Sequence, residues 1–257
     1  MGQLAVTLVA VWIAEERIYA IADTRIIRSA GNILTEHGPK ILPLSVVCKQ
    51  PGKSGFFDKL VFAGSVGFAY SGSTLSALAT HALADLFTSH LIGNPAAQLP
   101  SLHDIANAVG KIAKQYMLDV GQLTGPDARF TATIFGHCPQ LGRLRVFEIA
   151  PQLSSNAVQV AVTEFDASDP DNVLIIGSRP DVLKQRIQIV RSGAEHQIVR
   201  DRAPIDALQS IIDDNSNESV GGALQMAWVT SAGFEIVARG VPPDARRHMR
   251  ELIHPRK

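Results

Sequence analysis

Three residues near the start of the chain carry side chains that together could open an amide bond: Thr7, Asp23 and Lys40. A hydroxyl is a poor nucleophile until a base takes its proton, and pairing a threonine with its own chain-terminal amine is one solution. Thr7 lies near the start of the apolar run Val6-Thr7-Leu8-Val9-Ala10-Val11, so loss of the six residues before it would expose an α-amine beside its hydroxyl. A lysine would add a positive field that lowers the effective pKa of hydroxyl and amine, and an aspartate would keep that lysine charged in a partly buried place. Asp23 ends Ile18-Tyr19-Ala20-Ile21-Ala22, where a carboxylate is costly to bury unless a cation meets it. Lys40 follows within Gly38-Pro39-Lys40-Ile41-Leu42-Pro43. Each also has a simpler reading: a β-branched strand residue for Thr7, a strand-end aspartate for Asp23, an exposed edge lysine for Lys40.

The elements that must position these residues begin with a hairpin, because two apolar runs of strand length flank the polar turn Glu15-Glu16-Arg17. Cys48 to Phe57 is polar and glycine-bearing and reads as an inserted loop, after which Leu60 to Tyr70 alternates as a strand in a packed sheet does. Ser73 to Ile92 spaces Leu75, Leu78, Ala79, Ala82, Leu83 and Leu86 helically. The next segment does the same with Ile105, Val109, Ile112, Met117 and Val120, and Ser101 with Asp104 marks its N-cap. Phe130 to Phe135, Arg143 to Ile149, Ala157 to Thr163 and Val173 to Ile176 read as strands divided by turn residues. Helices follow over Pro180 to Val190 and Pro204 to Asp213, then a strand pair from Ala223 to Ala238 around Ser231-Ala232-Gly233. Strands and helices in separate blocks predict an α+β layered domain rather than a doubly wound parallel sheet. The end of the chain, from Pro242 through Arg246, Arg247, Arg250 and Lys257, reads as a short basic helix and tail with a solvated charged face.

In its order of motifs the chain resembles the proteasome β-subunit superfamily of N-terminal-nucleophile hydrolases, and among them the bacterial self-compartmentalising threonine peptidases. The motifs are the hairpin ending Ala22-Asp23-Thr24-Arg25, the Gly38-to-Pro43 segment, Ala69-Tyr70-Ser71-Gly72-Ser73, Ile175-Ile176-Gly177-Ser178 and Ser219-Val220-Gly221-Gly222. The resemblance spans roughly Val6 to Gly240 and implies one domain over residues 1–257, a four-layer αββα sandwich of two face-to-face antiparallel sheets with a helix pair outside each. It implies that Asp23 and Lys40 are the family's aspartate and lysine, that the Gly72 N–H serves the oxyanion hole, and that Ser178 is the serine of a Gly-Ser-Gly motif whose last glycine is Arg179 here. The nucleophile falls on Thr7 when the chain is aligned without gaps from Asp23, sixteen residues on. With one extra residue in the hairpin turn it falls on Val6, which could not catalyse. The supporting Asp-x-x-Ser-Gly-Gly motif reads Asn217-Glu218-Ser219-Val220-Gly221-Gly222, with Asn and Val at its two polar positions. Ser178 also reads as a helix cap, with Asp181 three residues on.

The resemblance thus implies a threonine-type peptidase acting on a peptide or protein, self-processed before Thr7 and assembled as a homo-oligomer. The alternatives are a catalytically inactive subunit kept as an assembly module and a small-molecule amidase. Composition fits a globular chain: 46% of its 257 residues are hydrophobic and 19% charged, and Lys plus Arg equals Asp plus Glu at 24 each. That zero net charge lacks the basic footprint of a nucleic-acid binder. Cys48 and Cys138 make no disulfide framework or zinc motif, the eight histidines lack ligand spacing, and no cofactor or metal is expected. There is no P-loop, so an ATPase, if one serves the chain, is a separate partner. The apolar run Leu4 to Ala14 is shorter than the about 20 residues a bilayer takes and is preceded by no basic residue, which predicts a cytoplasmic protein without export.

Overall fold

The computed structural model describes residues 7–28, 32–93, 98–154, 157–214 and 219–237. The expected hairpin is strands β1 (Leu8–Ala14) and β2 (Arg17–Asp23), paired without interruption from Val9↔Ala22 to Ala14↔Arg17. It closes on a two-residue turn in which Glu15 and Glu16 both take positive φ, 49° and 57°, the geometry that matches the twist of the flanking strands. Short strands β3 (Ile26–Ile27) and β4 (Ile33–Thr35) form a separate ribbon. Strand β5 (Ile41–Gln50) continues past Cys48, so the polar connection to β6 (Lys59–Gly72) occupies only residues 51–58. Helix α1 (Thr74–Thr88), strand β7 (Leu91–Ile92) and helix α2 (Leu102–Thr124) come next. Strands β8 (Phe130–His137), β9 (Leu144–Ser154), β10 (Ala157–Glu164) and β11 (Leu174–Gly177) follow. Helices α3 (Pro180–Ser192) and α4 (Gln197–Asp214) and strands β12 (Leu224–Thr230) and β13 (Gly233–Val237) complete the order.

The α+β class expected from the segregated blocks is therefore present, with four α-helices and two main sheets among the described residues. One sheet runs β11-β1-β2-β12-β13 and the other β10-β9-β8-β6-β5-β7, antiparallel except for the β5–β7 pair. Alternation along the strands divides the core in three. Leu8, Ala10, Trp12 and Ile21 pack with Leu183, Ile187, Leu208 and Ile211 of α3 and α4. Phe68, Tyr70, Ile134 and Ile149 pack with Ala77, Ile105, Val109 and Met117 of α1 and α2. Val9, Val11, Ala20, Ala69, Phe135 and Val146 join the two sheets. Among the described residues no helix is long and apolar enough to cross a membrane. The basic segment expected from Pro242 onward lies outside the described residues.

Helix α2 starts as its sequence specifies. Ser101 and Asp104 form a reciprocal capping box, and Ile105, Val109 and Met117 are buried. Helix α4 begins seven residues before the expected Pro204, which the helix absorbs in its interior. Helix α1 is the correction. Its leucines have helical spacing, yet the buried face is Ser76, Ala77, Thr80, Ala84 and Thr88, while Leu75, Leu86 and Phe87 are exposed. The reason is polar anchorage to β5 at close range: Ser45 N donates to Asp85 Oδ1 at 2.7 Å, and Thr88 Oγ1 donates to Ser45 O at 2.5 Å. Small side chains let the helix axis come near enough for these bonds, and the bulky residues are left outside. Ala84→Leu should accordingly destabilise the protein by about 1–3 kcal/mol through overpacking. Leu86→Ala should stay within about 0.5 kcal/mol of wild type. Urea unfolding of the two variants checks the orientation, and the reverse ranking would contradict it.

Candidate functional site

The hairpin register carries Asp23 to the start of β1. Asp23 ends β2 opposite Leu8, and Leu8 N donates to its Oδ1 at 3.0 Å. The chain then turns through Thr24 and Arg25 under a brace to the segment before β12. Thr24 N and Arg25 N both donate to Gly221 O, Ala223 N donates to Thr24 Oγ1, and the Arg25 guanidinium bonds Glu36 and Val220 O. Gly221 leaves the space that the guanidinium fills, because a Cβ there would lie 2.2 Å from Arg25 Cζ and push it out of the brace. This brace delivers Gly221 N to Asp23 Oδ2 at 3.1 Å, alongside Arg25 N at 3.3 Å.

Lys40, just before β5, reaches the same carboxylate from the other sheet. Its Nζ lies 2.9 Å from Asp23 Oδ1, and the side chains are 1% and 0% exposed. The structure thus places Lys40 in a buried ion pair, not on an exposed strand edge. Burial pushes the Asp23 carboxyl up and the Lys40 ammonium down from their ordinary values, and each opposes the other's shift through its charge and the shared hydrogen bond. All four of the Asp23 contacts above are donors. A protonated carboxyl would need an acceptor for its O–H, so this set fits a carboxylate and an ammonium.

Thr7 is held one residue before the Asp23-bound Leu8. Its carbonyl accepts Ser178 N at 2.8 Å and the Ser71 hydroxyl at 3.4 Å, and its side chain is buried. Gly177 has φ +125°, and a Cβ there would stand 1.8 Å from Thr7 O, so only glycine admits this approach. Ser178 is not the cap of α3. Arg179 occupies that position in left-handed conformation with no side-chain capping bond, and among the described residues the buried Ser178 hydroxyl has no hydrogen-bond partner. Gly72, with φ +109°, ends β6 next to Ser71 and turns the chain into α1. A Cβ on Gly72 would lie 2.7 Å from Arg129 O. Asp23 and Lys40 are thus in direct contact, Ser71 and Ser178 contact the Thr7 carbonyl, the two groups meet through the backbone amide of Leu8, and Gly72 adjoins Ser71 along the chain. Val6, Asn217 and Glu218 lie outside the described residues.

Sequence reasoning missed the Arg25–Glu36 brace, Ser71 and Gln225. The last did leave a signal, a lone amide between Leu224 and Met226 in an apolar strand. Its side chain binds the backbone of Lys40 and Ile41.

No protein-family model and no curated protein sequence matches the chain. Solved structures do. A Gly-1 mutant of Anbu from Hyphomicrobium sp. strain MC1 is 16% identical, with a TM-score of 0.59 over 98% of both chains. Anbu, an ancestral β-subunit, from Yersinia bercovieri is 16% identical, with a TM-score of 0.58 over 98% of this chain and 97% of that one. The helical assembly of the Anbu complex from Pseudomonas aeruginosa is 17% identical, with a TM-score of 0.60 over 96% and 94%.

Removing the cation tests the pair. Lys40→Met should destabilise the fold by about 3–5 kcal/mol, because it strands a buried carboxylate. Without Lys40 the Asp23 pKa rises further above 3.8. A raised folded-state value makes the deficit smallest below pH 3.8 and larger as pH climbs through the raised value. Urea unfolding against pH checks this beside Asp23→Asn/Lys40→Met, which lacks the titrating group. Equal pH dependence in the two variants would contradict it.

At this level of identity the likeness is one of fold, and over nearly its whole length the chain has the proteasome-like N-terminal-nucleophile hydrolase fold found in Anbu.

Proposed function

We propose that the chain is a proteasome-like threonine-type hydrolase of peptide amides, self-processed before Thr7, with its elements stacked as a four-layer αββα sandwich. The observation that carries this reading is the buried Asp23–Lys40 pair, bonded to the backbone of the residue after Thr7. The two-residue hairpin turn and unbroken β1–β2 register support the gap-free alignment that puts the nucleophile at Thr7 rather than Val6.

In the first step Thr7 Oγ attacks the carbonyl of the preceding residue, the peptide bond is exchanged for an ester, and water hydrolyses that ester. Residues 1–6 leave and the Thr7 α-amine is free. In turnover the amine takes the proton of Oγ as the oxygen attacks a substrate carbonyl and returns it to the leaving amine, and water then cleaves the resulting acyl ester to release the acid and restore the Thr7 hydroxyl. The Lys40 ammonium lowers the pKa of both groups, and Asp23 holds the ammonium in place. The Gly72 N–H stabilises the oxyanion, for which a single donor is typically worth about a hundred- to a thousand-fold in rate. The Ser178 hydroxyl, buried beside the Thr7 backbone, accepts a hydrogen bond from the new amine. None of these steps calls on a cofactor. The Anbu relative solved as a helical assembly supports a homo-oligomer.

A second reading, an inactive subunit retained for assembly, is favoured by Val220. It is fully buried among the α3 and α4 contacts at a position where the supporting motif is polar.

Intact mass decides between them. Untagged wild type should lose the six residues before Thr7, and Thr7→Ala should keep them. Processed wild type should cleave members of a fluorogenic peptide library, and Lys40→Ala should lower that rate by at least about a hundred-fold. Retention of the leader in both proteins, with no peptide cleavage, would reject the hydrolase. Light scattering after size exclusion should give several times the mass of the processed subunit, which lies slightly below the 27.6 kDa of the full chain, and a monomer would reject the assembly.

A further inference from the structure

We propose that Gln225 is a positioning residue that sets where Lys40 stands. Gln225 lies on β12, opposite Ala22 and next to the Leu224↔Asp23 pair, and its side chain crosses from that sheet to the start of β5. Its Oε1 accepts Lys40 N at 2.8 Å and Ile41 N at 3.0 Å, and its Nε2 donates to Ile41 O at 2.7 Å. The primary amide thus plays the part of a neighbouring strand, accepting from and donating to one residue as an antiparallel partner would. On the other side Tyr70 N donates to Lys40 O at 3.2 Å, and the Tyr70 hydroxyl donates to Pro39 O at 3.2 Å. Both backbone polar groups of Lys40 are thereby fixed, one by each sheet.

The consequence is geometric. Asp23 belongs to the β2 register and Lys40 to the β5 register, so nothing in either sheet alone sets their separation. Gln225 is on the strand that pairs with Asp23, and it grips the residue that carries Nζ. With that grip the 2.9 Å contact follows from the two sheets' common frame. Among the described residues, only Gln225 reaches the Lys40 backbone from the Asp23 sheet through a side chain, so a single substitution can release it.

The kinetic part of this inference rests on the hydrolase reading, and the coupling part rests on the contacts alone. Gln225→Ala should slow leader removal and lower kcat for peptide cleavage by about ten- to a hundred-fold, with KM within about twofold, because a small misplacement of a catalytic group carries a penalty of that order. Gln225→Glu keeps an acceptor for both N–H groups, loses the donor to Ile41 O and adds a negative charge beside Lys40. That charge favours the ammonium, so the limb of the pH–rate profile governed by Lys40 should move to higher pH. A raised KM with unchanged kcat, or pH profiles identical to wild type, would overturn the inference. If Gln225→Ala does not fold, Gln225→Glu carries the comparison.

Should wild type neither process nor hydrolyse, the hydrolase reading fails and unfolding decides the inference separately. Gln225→Ala is then measured by urea on the wild-type and Lys40→Met backgrounds. Non-additivity of at least about fivefold in the unfolding equilibrium supports positioning, and additive effects overturn it.

Discussion

The structure depends on placing two opposite charges out of water at one point between two sheets. Asp23 and Lys40 are almost completely buried, and a charge so placed is tolerable only when its partners are in position. Satisfying Asp23 recruits Leu8 from β1, Arg25 from the end of β2 and Gly221 from before β12. Satisfying the chain around Lys40 recruits Gln225 and Tyr70. Gly177 then follows as a requirement, since a side chain there would meet the Thr7 carbonyl, and Gly221 leaves the space that the Arg25 guanidinium fills. Thr7 is caught in this arrangement through its carbonyl and through the amide of the next residue.

Arrangement around a buried pair also relates stability to chemistry. An ion pair away from water is seldom the most stabilising solution, and well-packed apolar residues often do as well. Burial lowers the Lys40 pKa from its ordinary value, so the charge state of this lysine is set by the groups packed around it and not by solvent. The same desolvation that disfavours each charge strengthens the attraction between the two.

Much of this was legible in the chain itself, for reasons that differ between residues. The hairpin could be read because alternation and a polar turn are local signals, and Asp23 stood out because a carboxylate is anomalous after five mostly apolar residues. The α2 capping box was likewise written within four residues. What failed was information held in the partner rather than the element. The inward face of α1 is chosen by Ser45 on a distant strand, and leucine spacing alone points the other way. Ser178 looked like a cap by local pattern, but the pairing of β11 with β1 commits its N–H to Thr7 O and passes the cap to Arg179. Gln225 contacts residues more than 180 positions earlier, a relation no window of sequence contains.

Helix α1 uses its two faces for different ends. Ala77, Thr80 and Ala84 bind it to the sheet, while Leu75, Leu86 and Phe87 meet solvent. Solubility and folding are consequently separable in this element. The outer leucines take no part in the packing against the sheet, whereas the inner face has room for small side chains alone.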